Sequence, residues 1–153
     1  MLSWLANGPA RTRVASLNTI FFDGGRSSIT FNDHSDPYLV INHLPPASDG
    51  EVEESKIPGP GNCALAPPLH WHYDQTERFH VLEGKARFYL NGRKQTACVG
   101  DVVTIPKQAF HTFRNASKQD DLVIEFVLDP MNRDRDEAFF STCPSSTRKQ
   151  KPN

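Results

Sequence analysis

The sequence predicts an all-β chain, a small sandwich or barrel of short strands, and three observations carry that prediction. Twelve prolines and nine glycines punctuate the 153 residues, and few stretches hold a helical period. Short runs rich in β-branched and aromatic residues recur at regular intervals, the pattern of a sandwich or barrel. Asn91-Gly92 lies between two such runs and is a strong hairpin signal, because both residues tolerate the positive φ of a tight turn.

Taken in order, residues 1–27 read as an N-terminal arm, and strands are expected over 28–33 (SITFND) and 38–44 (YLVINHL). Further strands are expected over 77–84 (ERFHVLEG), 85–92 (KARFYLNG), 101–106 (DVVTIP), 111–115 (HTFRN) and 121–128 (DLVIEFVL). Glu83-Gly84 is a weaker turn signal than Asn91-Gly92. Alternation sets Ala86, Phe88 and Leu90 on one face, against Lys85, Arg87 and Tyr89. Leu122, Ile124, Phe126 and Leu128 likewise oppose Val123, Glu125 and Val127, and the more apolar faces should point inward. The Pro/Gly/acid-rich stretch 45–62 is longer than an ordinary connection and reads as a surface loop that could serve as a lid. After the barrel domain at 28–128, Asp129 is a candidate cap with Pro130 at the first position of a short C-terminal helix over 129–142, anchored by Phe139 and Phe140. Residues 143–153 have little to bury and read as a disordered tail.

A chain of this length suits one domain with a sizeable core. Its 17 basic and 18 acidic residues nearly balance, so no long-range field favours nucleic acid or an anionic membrane. It has no apolar run near the ~20 residues needed to span a bilayer. "MLSWLA" is too short for a secretory core and lacks a positive leader; Arg11 and Arg13, with no acid before Asp23, are a faint import-like feature. Cys63, Cys98 and Cys143 are odd in number and scattered, which reads as free thiols in a reducing, cytoplasmic compartment.

The chemistry concentrates in "PPLHWHYDQTERFHVLEG", residues 67–84. In a strand, residues i and i+2 face the same way about 6.5–7 Å apart, so His70 and His72 share a side and Trp71 takes the other. Two imidazoles so placed can converge on one metal ion, and Glu77, after the link YDQT, can add a carboxylate. Such nitrogen and oxygen donors suit iron, manganese, nickel, copper or zinc better than calcium. Parity puts His80 with Arg78 and Leu82, opposite Glu77, and so outside the metal sphere. His34 and His43 have no partner spacing and read as surface residues.

A second segment, "GDVVTIPKQAFHTFRN" over 100–115, completes a pattern. Together the two segments resemble the cupin superfamily, in its small single-domain, RmlC-like form. The first cupin motif, G-x5-H-x-H-x4-E-x6-G, runs here through Ala64, His70, His72, Glu77 and Gly84, with only the leading glycine replaced. The second, G-x5-P-x-G-x2-H-x3-N, runs through Gly100, Pro106, Gln108, His111 and Asn115, with one glycine lost at Gln108. Gln resists the positive φ that glycine takes freely, so the approach to His111 is open to change. The resemblance implies a double-stranded β-helix, a jelly-roll barrel with the metal inside, held by His70, His72, Glu77 and His111.

It also implies a function. The expected protein is an enzyme with one divalent transition metal ion per chain, acting on a small aromatic or polyketide-like molecule. Oxidoreductase chemistry of the dioxygenase or oxidase kind is expected, with Glu77 both ligand and base. The alternative is a decarboxylase, isomerase or cyclase that uses the ion as a Lewis acid. A binding module without turnover fits less well, because all four ligand positions are kept. A homodimer is the expected assembly, and neither nucleic acid nor membrane is an expected partner. Arg87, Tyr89 and Glu125 read as solvent-facing or interfacial rather than catalytic.

Overall fold

The computed structural model describes residues 19–48 and 65–141, which form nine strands and one α-helix. The strands are β1 (Thr19–Phe22), β2 (Ser27–Phe31), β3 (Val40–Leu44), β4 (Thr76–Glu83), β5 (Lys85–Leu90), β6 (Arg93–Cys98), β7 (Val102–Ile105), β8 (His111–Asn115) and β9 (Leu122–Asp129), and the helix is α1 (Arg133–Ser141). Most of the 45–62 loop, Cys63, Ala64, Cys143 and the 143–153 tail lie outside the described residues, as do the first eighteen positions of the arm. No helix among the described residues is long and apolar enough to cross a membrane.

Two antiparallel sheets face each other, one in the order β1-β2-β3-β9-β4-β7 and the other β6-β5-β8. The chain passes from sheet to sheet at the β4–β5, β6–β7, β7–β8 and β8–β9 connections, which is the winding of a jelly roll. Asn91-Gly92 makes the β5–β6 hairpin, both residues at positive φ. Glu83-Gly84 does something else. It joins no hairpin partners but turns the chain from one sheet into the other within a single residue, Gly84 at φ 77°.

Strand alternation fills the interior. On β9, Leu122, Ile124, Phe126 and Leu128 are all buried, and on β5 so are Ala86 and Phe88, while Leu90 at the end is half-buried. The registers Glu77↔Leu128, Phe79↔Phe126 and Val81↔Ile124 stack the core in layers, and Leu90↔His111, Phe88↔Phe113 and Ala86↔Asn115 do so in the facing sheet. Phe79 sits at the middle of one layer, 5.1, 5.2 and 5.4 Å from the ring centroids of Phe88, Phe113 and Phe126. Tilted pairs of this kind are worth about 0.5–1.5 kcal/mol each beyond burial.

Several elements depart from expectation, each for a physical reason. β1 pairs with β2 where an arm was expected, its four residues being too short a run to read. β6 (RKQTAC) has one buried residue, so its place comes from hairpin pairing to β5 rather than from any apolar pattern. Tyr89 is buried, not solvent-facing: it lies opposite Thr112 on β8, with the Lys94 ammonium 6.0 Å from its ring. β9 continues through Asp129, so that residue cannot cap a helix, and α1 starts at Arg133 instead. Asn132 supplies the cap: its Oδ1 accepts the Arg135 N–H at 3.1 Å, and Asp136 accepts the Asn132 N–H at 3.0 Å. Phe140 anchors the helix edge-on against Phe126 at 5.0 Å, whereas Phe139 points outward.

Candidate metal centre

The two sheets bring one ligand group together from both sides. Glu77 opens the inner face of β4, and His111 opens β8 in the other sheet. The segment carrying His70 and His72 lies along β8, with His70 N–H donating to the His111 carbonyl at 3.0 Å and His111 N–H returning to His70 at 2.8 Å. One candidate ligand atom from each of His70, His72, Glu77 and His111 lies within 4.8 Å of all the others. Glu77 and His111 are 4 % and 0 % exposed, while His70 and His72 are half-buried at the open end.

The hydrogen bonds decide what these side chains offer. His70 Nδ1 donates to the Pro68 carbonyl at 2.8 Å, and His111 Nδ1 donates to the Ala109 carbonyl at 2.9 Å. Each imidazole is therefore fixed by the carbonyl two residues before it, which holds the proton on Nδ1 and leaves the Nε2 lone pair for the centre. The Glu77 carboxylate oxygen Oε2 lies 2.9 Å from His111 Nε2 and 3.2 Å from His72 Nε2. With Nδ1 of His111 already carrying its proton, a neutral ring presents a lone pair to a carboxylate oxygen at hydrogen-bond distance. Such a pair calls for a cation, either a second proton or a metal ion, and the nitrogen and oxygen donors are those of a first-row transition metal. The four residues fit the ion that the sequence implies.

Burial alone would raise the Glu77 carboxyl. The hydrogen bonds to His111 and His72, with the attraction of those rings whenever they carry a second proton, outweigh it, and the group is held below the ordinary 4.5. Burial lowers the His70 pKa from 6.5; the Pro68 carbonyl opposes that, and charge on His111 and His72 adds to it. Both shifts leave the group in the form that binds metal: a carboxylate and a neutral imidazole.

Beneath the ligands lies the aromatic floor of Phe79, Phe88, Phe113 and Phe126, all buried. His80 is not in the group. It faces the outer side of β4, where Nδ1 pairs with Glu125 at 2.7 Å and the ring stacks on Tyr38 at 5.8 Å. His43 pairs with Asp121 at 2.8 Å, and His34 is exposed. Trp71, between His70 and His72, makes an exposed aromatic row with Tyr73 and Phe110 at 6.2 and 6.3 Å.

One contributor escaped the sequence reading. Arg114 is 1 % exposed on the outer face of β8, and its Nη1 reaches the Pro67 carbonyl at 2.8 Å, which also accepts the Thr112 hydroxyl at 2.6 Å. That anchor holds Pro67-Pro68, and hence the carbonyl that orients His70, against the sheet. A lone Arg in an alternating strand gives no signal of this role.

Comparison with known proteins agrees with this geometry. Residues 63–128 match the family described as Cupin domain. A Hypocrea virens protein named "Probable oxidoreductase virH" is 29% identical over 140 residues, covering 89% of this chain and 60% of its own length. An uncharacterized protein of Aquifex aeolicus is 43% identical over 49 residues, 32% of this chain and 40% of that protein. The chain thus spans less than two thirds of either relative. Among solved structures, an RmlC-like cupin from Shewanella frigidimarina superposes with a TM-score of 0.55 at 12% identity, covering 83% of this chain and 96% of the other. KdgF from Halomonas sp. superposes with a TM-score of 0.50 at 18% identity, over 72% and 84% of the two chains. Both motifs lie within residues 63–128, the part of this chain that is similar to the Cupin domain family, and the two sheets bring them together.

Proposed function

We propose that this chain is a metal-dependent enzyme, an oxidoreductase of the dioxygenase or oxidase kind acting on a small aromatic or polyketide-like molecule. The observation that carries the reading is the meeting of His70, His72, Glu77 and His111, with two of the three imidazoles fixed to offer Nε2. A divalent transition metal bound there supplies open coordination positions and, if it is redox-active, electrons for chemistry on dioxygen. Three neutral imidazoles and one carboxylate leave a net positive charge at the centre, which favours a substrate that binds as an anion, such as an enolate or phenolate. Glu77 carries a second role: its carboxyl stays ionised at neutral pH, and a carboxylate at the centre can accept the proton that such a substrate gives up. Phe79, Phe88, Phe113 and Phe126 keep water from the inner side and favour an apolar, planar ring. The likeness to an oxidoreductase-named relative supports this reading over part of that protein's length.

The test is elemental analysis of protein purified without chelator, followed by oxygen uptake with candidate phenolic and polyketide-like substrates. A redox metal together with substrate-dependent oxygen consumption that His111→Ala abolishes is the expected result. Mainly zinc, with no oxygen consumed, would replace this reading with the Lewis-acid alternative of decarboxylase, isomerase or cyclase. Protein that takes up no metal at all would end both.

A further inference from the structure

Of the three imidazoles, His72 has the least local support. His70 and His111 each donate Nδ1–H to a backbone carbonyl, but among the described residues the His72 ring has one hydrogen-bond partner, Glu77, beside its ring contacts with His70 and His111. Its position must come from its backbone. That backbone is held by one residue, Gln108, whose N–H donates to the His72 carbonyl at 2.6 Å and whose side-chain Nε2 donates to the Tyr73 carbonyl at 3.4 Å.

Gln108 holds this place against its own preference. Ala109 N–H donates to the Pro106 carbonyl at 3.2 Å and closes a four-residue turn, in which Gln108 takes φ 66° while Lys107 does not turn positive. That is the third position of a type II turn, which selects glycine or asparagine. A side chain is disfavoured in the left-handed region, where its Cβ crowds the following carbonyl oxygen. Glycine would give the same N–H to His72 without the strain. Only the carboxamide reaches Tyr73.

We propose that Gln108 is a positioning residue for the metal centre. Its carboxamide ties down the far end of the His70–Tyr73 segment, so that His72 Nε2 is held at its spacing from Glu77 and His111 before an ion arrives. With the reciprocal His70–His111 pair, it stitches residues 70–73 to residues 108–111 at four points. The inference rests on the metal reading above.

The test separates affinity from stability. Zn²⁺ and Mn²⁺ dissociation constants are measured by competition with a chromophoric chelator, and thermal melts are run on chelated protein, for the parent, Gln108→Gly and Gln108→Ala. Losing a partner that orients a ligand weakens metal binding by about 10–100-fold, and this bond is long and exposed, so about three- to tenfold is expected for both variants. Gln108→Gly, freed of strain, should melt no lower than the parent while binding more weakly; Gln108→Ala should lose on both counts. A purely structural residue would move affinity and stability together. Gln108→Gly binding both ions as tightly as a parent that does bind them overturns the proposal alone. A parent that takes up neither ion overturns the metal reading and the proposal with it.

Discussion

Gly84→Ala is the substitution whose cost the structure defines best. Gly84 is the single residue between β4 in one sheet and β5 in the other, at φ 77°. A Cβ there would stand 2.3 Å from the Asp121 carbonyl oxygen and 3.3 Å from both Asp121 C and Leu122 Cα, all backbone. The obstacle cannot swing aside, because the adjacent Asp120 carbonyl is held by Asn115 Nδ2 at 2.7 Å and Leu122 is fully buried at the start of β9. The left-handed backbone contributes about 1–2 kcal/mol. Forcing a methyl into closed packing contributes about 1–3 kcal/mol. The stiffer unfolded chain returns about 0.4–1 kcal/mol, leaving a net loss near 3 kcal/mol. At roughly 2–4 °C per kcal/mol for a chain of this size, the melting temperature should fall by about 6–12 °C. Gly92→Ala is the control: φ is 79° but nothing lies within 4 Å, so it carries the conformational cost without the clash. Thermal and urea denaturation of both variants, with metal and with chelator, isolate the steric part. Equal losses in the two variants would show that the Asp121 carbonyl does not crowd this corner, and the sheet crossing would have to be redrawn.

His111→Ala removes a fully buried ligand and should strip most bound metal, by elemental analysis; unchanged occupancy would count against the assignment. His80→Ala should leave occupancy near that of the parent while costing some stability through Glu125, and a large metal loss would mean His80 reaches the centre. Chelated protein should lose stability on acidification in two stages. Below pH 6.5 the unfolded chain protonates His70 while the folded one resists, so it binds more protons unfolded and stability falls with pH. Below pH 4.5 Glu77 repeats the argument: its folded pKa is depressed, so its contribution is present above 4.5 and is lost as pH drops through the folded value. Urea titrations at pH 7.5, 5.5 and 4 check this, with His70→Ala flattening the first stage; stability constant from 7.5 to 5.5 in the parent would refute it.

The sequence made the site legible to the extent that spacing encodes geometry. His70 and His72 could be placed on one side by strand alternation alone, and Glu77 and His111 came with the two motifs. Strands with an apolar face, such as β5 and β9, were readable because burial on one side leaves a period of two. β6 was not, since pairing between backbones needs no particular side chain. The tautomer-setting bonds from Pro68 and Ala109 were invisible for the same reason: a carbonyl has no letter in the sequence. Gln108 was visible only as a departure, and its use emerges when the turn and the Tyr73 carbonyl are seen together. Tyr89 and Arg114 show the limit of alternation, which says which face a residue is on but not whether that face is covered.

The division of the ligands between sheets has a mechanical consequence. His111 belongs to the three-stranded sheet, and His70 and His72 are zipped to it; Glu77 alone comes from the six-stranded sheet. An ion held by all four therefore bridges the two sheets, beside the aromatic layer that also joins them. Metal at about 100 times its dissociation constant should add about 2.7 kcal/mol to stability. At roughly 2–4 °C per kcal/mol that is a rise of about 5–11 °C over chelated protein. Glu77→Gln keeps the shape of the side chain and removes the charge that ties the six-stranded sheet to the ion. The metal-induced rise, measured against the chelated variant itself, should then shrink by more than half, while the chelated variant melts below the chelated parent by what the ionised carboxylate contributes there. If Glu77→Gln kept the full rise, the ion would be resting on the histidine sheet alone, and the bridge between the sheets would not exist.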